Sequence, residues 1–132
     1  AHDLGISCGL RKRPVGIVGT RYKPFDNIFQ IREVMEHLCR LLNGIKHPFE
    51  KACVAVAGVS YIQPFEDGNK RTSRLLGNAV LLAHGYCPLS YRSVDETQYK
   101  KAVILFYEQH TLAAFKKIFL EQHAFATANY FQ

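Results

Sequence analysis

The stretch Gln63-Pro64-Phe65-Glu66-Asp67-Gly68-Asn69-Lys70-Arg71-Thr72-Ser73-Arg74 decides how the chain is read. An acid, a glycine turn and two arginines follow one another there, the groups that a polyphosphate needs. Gly68 permits a left-handed or strained backbone, so the peptide N–H groups of the turn can converge on an anion as a helix begins at Asn69. That helix start adds the positive end of its dipole and its unpaired donors. Arg71 and Arg74, three apart, are neighbours on one helical face, and each presents a planar fork of donors matched to phosphate oxygens. Asp67 stands where magnesium can be held. The stretch reads as a phosphate and metal cradle.

The flanking sequence is helical. Asp26 is placed to cap a helix that continues through Ile28, Ile31, Val34, Met35, Leu38, Leu41 and Leu42 and stops at Asn43-Gly44. Pro48 opens a second helix in which Ala52, Val54, Ala55, Val56, Ala57 and Val59 surround Gly58. Apolar nearly all round, this helix is expected at the centre of the fold, delivering Gln63 to the cradle. A third helix runs from Asn69 through Leu75, Leu76, Val80, Leu81 and Leu82 to a glycine cap at His84-Gly85. Ser93 with Glu96 forms a capping-box pattern for a fourth, carrying Tyr99, Val103, Ile104 and Phe106. A fifth follows Thr111 and is expected to bury Leu112, Phe115, Phe119 and Leu120. Between Pro14 and Lys23, Val15, Ile17 and Thr20 alternate with Gly16 and Gly19, which predicts a short β-hairpin pinned over the helices. Its edge can accept an extended segment by strand addition, and an ordinary surface hairpin fits the same residues. The expected fold class is all-α, a helical bundle with one small β-hairpin.

At 132 residues and 48% hydrophobic content, the chain can bury one core and is too short for two ordinary domains, so a single domain over 1–132 is expected. No apolar run approaches the ~20 residues needed to cross a bilayer, and the N-terminus lacks a signal-peptide pattern, so the chain reads as cytoplasmic. Cys8, Cys39, Cys53 and Cys87 are far apart with no C-x-x-C pair, which points away from zinc and disulfide frameworks. Cys39 and Cys53 read as core. The net charge of +6 raises the question of nucleic acid. Yet Lys70, Arg71 and Arg74 are accounted for by the cradle, leaving the run Arg11-Lys12-Arg13, which reads as solvated basic surface. None of His2, His37, His47, His84, His110 and His123 falls in the cradle or pairs at helical spacing, so each reads as a helix-end or surface residue. The chain starts without methionine, as expected of a fragment.

The twelve residues resemble the Fic signature H-x-F-x-D/E-G-N-G/K-R-x-x-R at every fixed position except the first, where Gln63 replaces histidine. Pro14 to Thr20 is similar to the family's flap. The resemblance implies a Fic-type bundle that transfers AMP from ATP to a protein hydroxyl (AMPylation). It implies that Asp67 holds Mg2+, that Gly68 and Asn69 bind the phosphate under attack, and that Arg71 and Arg74 grip the outer phosphates with Lys70 beside them. Phe65 becomes the buried anchor, Gly16, Ile17, Val18 and Gly19 the target-docking flap, and Tyr99 and Tyr107 candidate adenine-pocket residues, though aromatic core packing fits both.

The family's histidine takes the proton from the attacking hydroxyl. A carboxamide does not ionise near neutral pH, so Gln63 marks a catalytic position at which general-base chemistry is expected to fail. Such a base contributes ~10²- to 10⁴-fold, so nucleotide binding and turnover are uncoupled and the enzyme is expected to be impaired. A nucleotide- or partner-binding pseudoenzyme is one alternative. A Doc-like phosphotransferase is another, because the Doc branch carries lysine at the position of Lys70. Gln63 fits a natural degenerate member and an introduced substitution equally. The family's inhibitory pattern S/T-x-x-x-E-G/N is absent, so an inhibitory helix on Arg74 is expected from a missing segment or a separate antitoxin.

Overall fold

A helix with no polar face has to be covered on every side, and that requirement organises the molecule. The structure, a computed structural model, describes residues 9–130. Its helices are α1 (Ile28–Gly44), α2 (Pro48–Ile62), α3 (Asn69–Ala83), α4 (Glu96–Gln109) and α5 (Ala113–Tyr130). Within α2, Phe49, Ala52, Cys53, Ala55, Val56, Ala57, Val59, Ser60 and Ile62 are all buried. One side of it, through Ala55, Val59 and Ile62, meets Ile31, Leu38 and Leu42 of α1. The other, through Phe49, Ala52, Cys53 and Val56, meets Tyr99, Val103 and Tyr107 of α4 and Phe115 and Phe119 of α5. Burial pushes the Cys53 thiol up to about 12, consistent with an inert core residue.

The third flank of α2 takes α3 at close range. A Cβ on Gly77 would stand 2.5 Å from Val56 Cγ2, and a Cβ on Gly58 would stand 2.7 Å from Leu38 Cδ1. These two glycines let neighbouring helices approach α2 where any side chain would hold them off.

Several expected details are corrected. Asn27, not Asp26, caps α1, its Oδ1 accepting from Phe29 N at 2.8 Å and Gln30 N at 3.3 Å. The Ser93–Glu96 capping box does not form; Asp95 caps α4, with Oδ1 accepting from Thr97 N at 2.9 Å and Gln98 N at 3.2 Å. In both places a short polar side chain immediately before the first helical residue reaches the free N–H groups of the first turn better than a more distant one. Cys39, Leu41 and Leu120, expected as core, are exposed. The helix phase turns them outward, while the residues that point at α2 stay covered. Cys8 and His2 lie outside the described residues.

The predicted β-hairpin is also corrected: no strand forms among the described residues, and the segment is two irregular limbs joined by a turn at Val18 and Gly19. Limbs so short and glycine-rich gain little from an isolated two-stranded ladder. Side chains hold the segment instead. Thr20 Oγ1 donates to Glu108 Oε2 of α4, Arg21 N donates to the same oxygen at 3.3 Å, and the Tyr22 ring stacks on Tyr61 at 4.4 Å between centroids.

Replacing Gly77 with alanine should therefore destabilise the fold despite the better helix propensity of alanine. A loss of about 1–3 kcal/mol is expected from overpacking against Val56, read as a lowered midpoint in thermal unfolding. An unchanged or raised midpoint would show that α2 and α3 can separate without cost.

Candidate active site

The site forms where α2 ends. Gln63 follows the helix in the left-handed region (φ 50, ψ 60), its N–H returning to Val59 O at 2.9 Å. A side chain rarely occupies that conformation unless its surroundings impose it. Here they do so through the last carbonyls of α2, each of which receives a donor. Ser60 O accepts from Gln63 Nε2 at 2.8 Å and from Tyr107 Oη at 2.8 Å. Tyr61 O accepts from Tyr22 Oη at 2.5 Å. Arg11 Nη2 donates to Ile62 O at 3.3 Å, Arg11 Nε donates to Gln63 O, and the Arg11 backbone N–H donates to Pro64 O at 2.9 Å.

Past this turn, Asn69 closes the loop. Its Oδ1 accepts from Phe65 N at 2.9 Å, while Nδ2 donates to Phe65 O at 2.8 Å and to Gln63 Oε1 at 3.1 Å. Asn69 is buried, and the Gln63 carboxamide is held at both ends, by Ser60 O and by Asn69. Phe65 is only half-buried and belongs to neither core cluster. The expectation of a buried aromatic anchor is thereby corrected: Pro64 is fully buried, and Asn69 bonding to the backbone of Phe65 fixes the loop. Gly68 then enters α3 at φ 77, ψ 16, a conformation open to glycine, and a Cβ there would lie 3.9 Å from Arg71 Nη2. The Arg71 guanidinium thus lies over the turn.

Beside the loop lies an open cleft of about 660 Å³, whose wall includes Asp67, Gly68, Asn69, Lys70, Arg71 and Arg74. Gln63 and Gly16 also face it. A smaller cavity of about 300 Å³ shares Gln63 and Lys70 with the cleft and is lined by Ile17, Tyr99, Val103, Ile104 and Tyr107. The structure therefore brings the motif side chains together with Gly16 and Ile17, and places Tyr99 and Tyr107 both in the core and on the wall of the second cavity. Val18, at 81% exposure, and Gly19 form the tip of the flap and line neither space.

Two groups had no signal in the sequence. One is Arg11, fully buried beneath the motif although it stands in an exposed-looking basic run. The other is Glu96, whose Oε2 lies 2.7 Å from Lys70 Nζ and whose Oε1 lies 3.4 Å from Arg74 Nη2. Burial raises the Glu96 carboxyl, but the hydrogen bond from Lys70 and the charges of Arg74 and Lys70 outweigh it and leave the group below its ordinary range. Arg74 is clamped between aromatic faces, its guanidinium carbon 4.2 Å from the Tyr91 centroid and 4.4 Å from that of Tyr99. Tyr91 is itself held at φ 60. These partners come from distant sequence, so only folding reveals them.

Compared with known proteins, the chain matches the Fic/DOC family over residues 4–81, a span that includes the flap segment and the whole motif, and it belongs to that family. It is 37% identical over 102 residues to the protein adenylyltransferase Fic of Aedes aegypti, across 74% of this chain and 20% of that protein. The same-named protein of Nematostella vectensis is 46% identical over 55 residues, 42% of this chain and 13% of the relative. The chain thus spans a fifth or less of the length of these two relatives. Among solved structures, BepC of Bartonella tribocorum, determined with bound AMPPNP, superposes with a TM-score of 0.72 at 19% identity, over 85% of this chain and 56% of that one. A Fic-domain signaling protein of Bacteroides thetaiotaomicron gives 0.63 at 22% identity, over 91% and 50%. At such identities these two structures establish the fold.

Because Glu96 occupies both Lys70 and Arg74, an anion entering the cleft competes with it. Glu96→Gln should strengthen binding of inorganic pyrophosphate several-fold, about the effect of one screened ion pair, and the gain should shrink in high salt. Equal affinity in parent and variant, measured by calorimetry at low salt, would show that Glu96 does not restrain the two cations.

Proposed function

We propose that this chain is the nucleotide-binding core of a Fic transferase that moves AMP from ATP to a protein hydroxyl, with the transfer step impaired at Gln63. The observation that carries the reading is the junction of two spaces at a shared pair of residues. A cation-lined cleft over a helix N-terminus meets an apolar, tyrosine-walled cavity at Gln63 and Lys70. Phosphates suit the first and a nucleobase the second, as convergent polar groups beside an apolar pocket suit a nucleotide. The names of the sequence relatives, and the AMPPNP held by BepC, support the same ligand class.

In this reading Arg71, lying over the turn, and Arg74, held by its two tyrosines, receive the outer phosphates, with Lys70 beside them. The free N–H groups at the start of α3 face the phosphate under attack. Gly16, Ile17, Val18 and Gly19 present a target segment above the cleft. Asp67 is exposed on the cleft wall. The described residues contain no group of three or more His, Cys, Asp or Glu side chains able to hold a metal ion. One carboxylate suits Mg2+, which keeps water and phosphate oxygens for most of its shell. Bound there, the ion would neutralise charge on the phosphates.

Gln63 sits at the meeting point of both cavities with no basic lone pair to receive a proton. Its carboxamide is committed to Ser60 O and Asn69 Nδ2, and this favours a second reading, in which the chain binds nucleotide without transferring any of it. No helix among the described residues is long and apolar enough to cross a membrane.

Incubation with ATP labelled at the alpha or the gamma phosphate, for the parent and Gln63→His, separates the readings. Alpha label in protein that rises ~10²- to 10⁴-fold on Gln63→His is the expected result. Gamma label alone would indicate a Doc-like phosphotransferase, and no label in either protein would favour the binding-only reading. Asp67→Ala should abolish the difference between ATP affinity with Mg2+ and with EDTA; a preserved difference would remove Asp67 from the metal site.

A further inference from the structure

We infer that Arg11, which lies outside the motif, is the positioning residue of the cradle, a role that rests on the nucleotide reading above. Its side chain is 0% exposed. Each nitrogen of its guanidinium donates to a main-chain oxygen: Nε to Gln63 O, Nη2 to Ile62 O at 3.3 Å and Nη1 to Arg13 O at 3.0 Å. With its own N–H on Pro64 O at 2.9 Å, Arg11 binds three consecutive carbonyls, 62 to 64, across the point where the chain leaves α2 and starts the loop.

Desolvating a cation is costly without compensation, and the direction at Arg11 reflects this: burial lowers the guanidinium from its ordinary value, against the opposing influences of Tyr22 and Asp26. Its direct partners are the carbonyls at the negative end of the α2 dipole. That compensation exists only when residues 62 to 64 hold the turn set by the left-handed Gln63, and the turn in return takes donors on Ile62 O and Gln63 O from Arg11. The two features therefore form together.

The turn sets where Gln63 points, and the loop from Pro64 to Asn69 hangs from it. A lysine would not reproduce the contact, since one ammonium lacks the fixed planar fork that spans these oxygens. Arg13, by contrast, is solvent-exposed and pairs with Glu66 at 3.0 Å. It belongs to the same basic run and does a different job.

The test compares the parent, Arg11→Lys, and Phe119→Leu, a core substitution on α5 of comparable destabilisation, in calorimetric titrations with Mg-ATP and in amide hydrogen exchange. Arg11→Lys should lose about tenfold in Mg-ATP affinity, as supporting groups behind a site commonly do. Phe119→Leu should stay within about twofold of the parent, being remote from the cleft. Amides of residues 65–69 should exchange faster in Arg11→Lys while those of α5 keep parental rates. Parental affinity and parental exchange in Arg11→Lys, or losses equal to those of Phe119→Leu, would overturn the proposal. If the parent itself does not bind Mg-ATP, the nucleotide reading fails separately, and the exchange pattern alone decides whether Arg11 positions the loop.

Discussion

A helix that is apolar on every side can stop inside a fold only if its last carbonyls are given donors, and that condition at the end of α2 shapes the rest of the molecule. The donors come from four directions: Arg11 and Tyr22 before α1, Tyr107 on α4, and the Gln63 side chain. Meeting this need fastens the N-terminal segment across the bundle between the cleft and the smaller cavity. It also turns the backbone sharply enough at Gln63 for the loop to double back and start α3 at Gly68. The site is therefore a consequence of how a buried helix is terminated.

The electrostatics follow from the same arrangement. Three motif cations face one cleft, and like charges held together need a counter-ion. Glu96 supplies it from α4 for Lys70 and Arg74, while Arg71 lies exposed over the glycine turn. The tyrosines around Arg74 hold its guanidinium within 4.2 and 4.4 Å of their ring centroids without neutralising it, so its charge stays available to an anion. In the proposed reading the pocket binds by exchange, a ligand's phosphates replacing a carboxylate, with an affinity that depends on ionic strength.

Much of this was legible in the sequence because it rests on local rules. The apolar circumference of Pro48–Ile62 announced a central helix, Pro48 its start and Gly85 the end of α3. That Asp67, Gly68, Asn69, Arg71 and Arg74 share one cleft was legible because they fall within eight consecutive residues. What stayed hidden depends on partners far away in the chain. Arg11 in a run of basic residues looks solvated until residues 62 to 64 are placed over it. Glu96 looks like a cap residue until α4 is packed beside α3, after which Asp95 takes the cap and Glu96 faces the cations. The hairpin failed for a related reason: alternation in Val15, Ile17 and Thr20 encodes which side faces the bundle, and side-chain ties made a ladder unnecessary.

The central claim, that the end of α2 and the start of α3 together bind a nucleotide with phosphates on the glycine turn, is tested most directly by mapping amide chemical shifts of the isotope-labelled protein during titration with Mg-ATP. The account predicts saturable shifts concentrated on residues 67–74, with a second group at Tyr99, Val103 and Tyr107. Shifts confined to α1 or α5, with residues 67–74 unmoved, would contradict it.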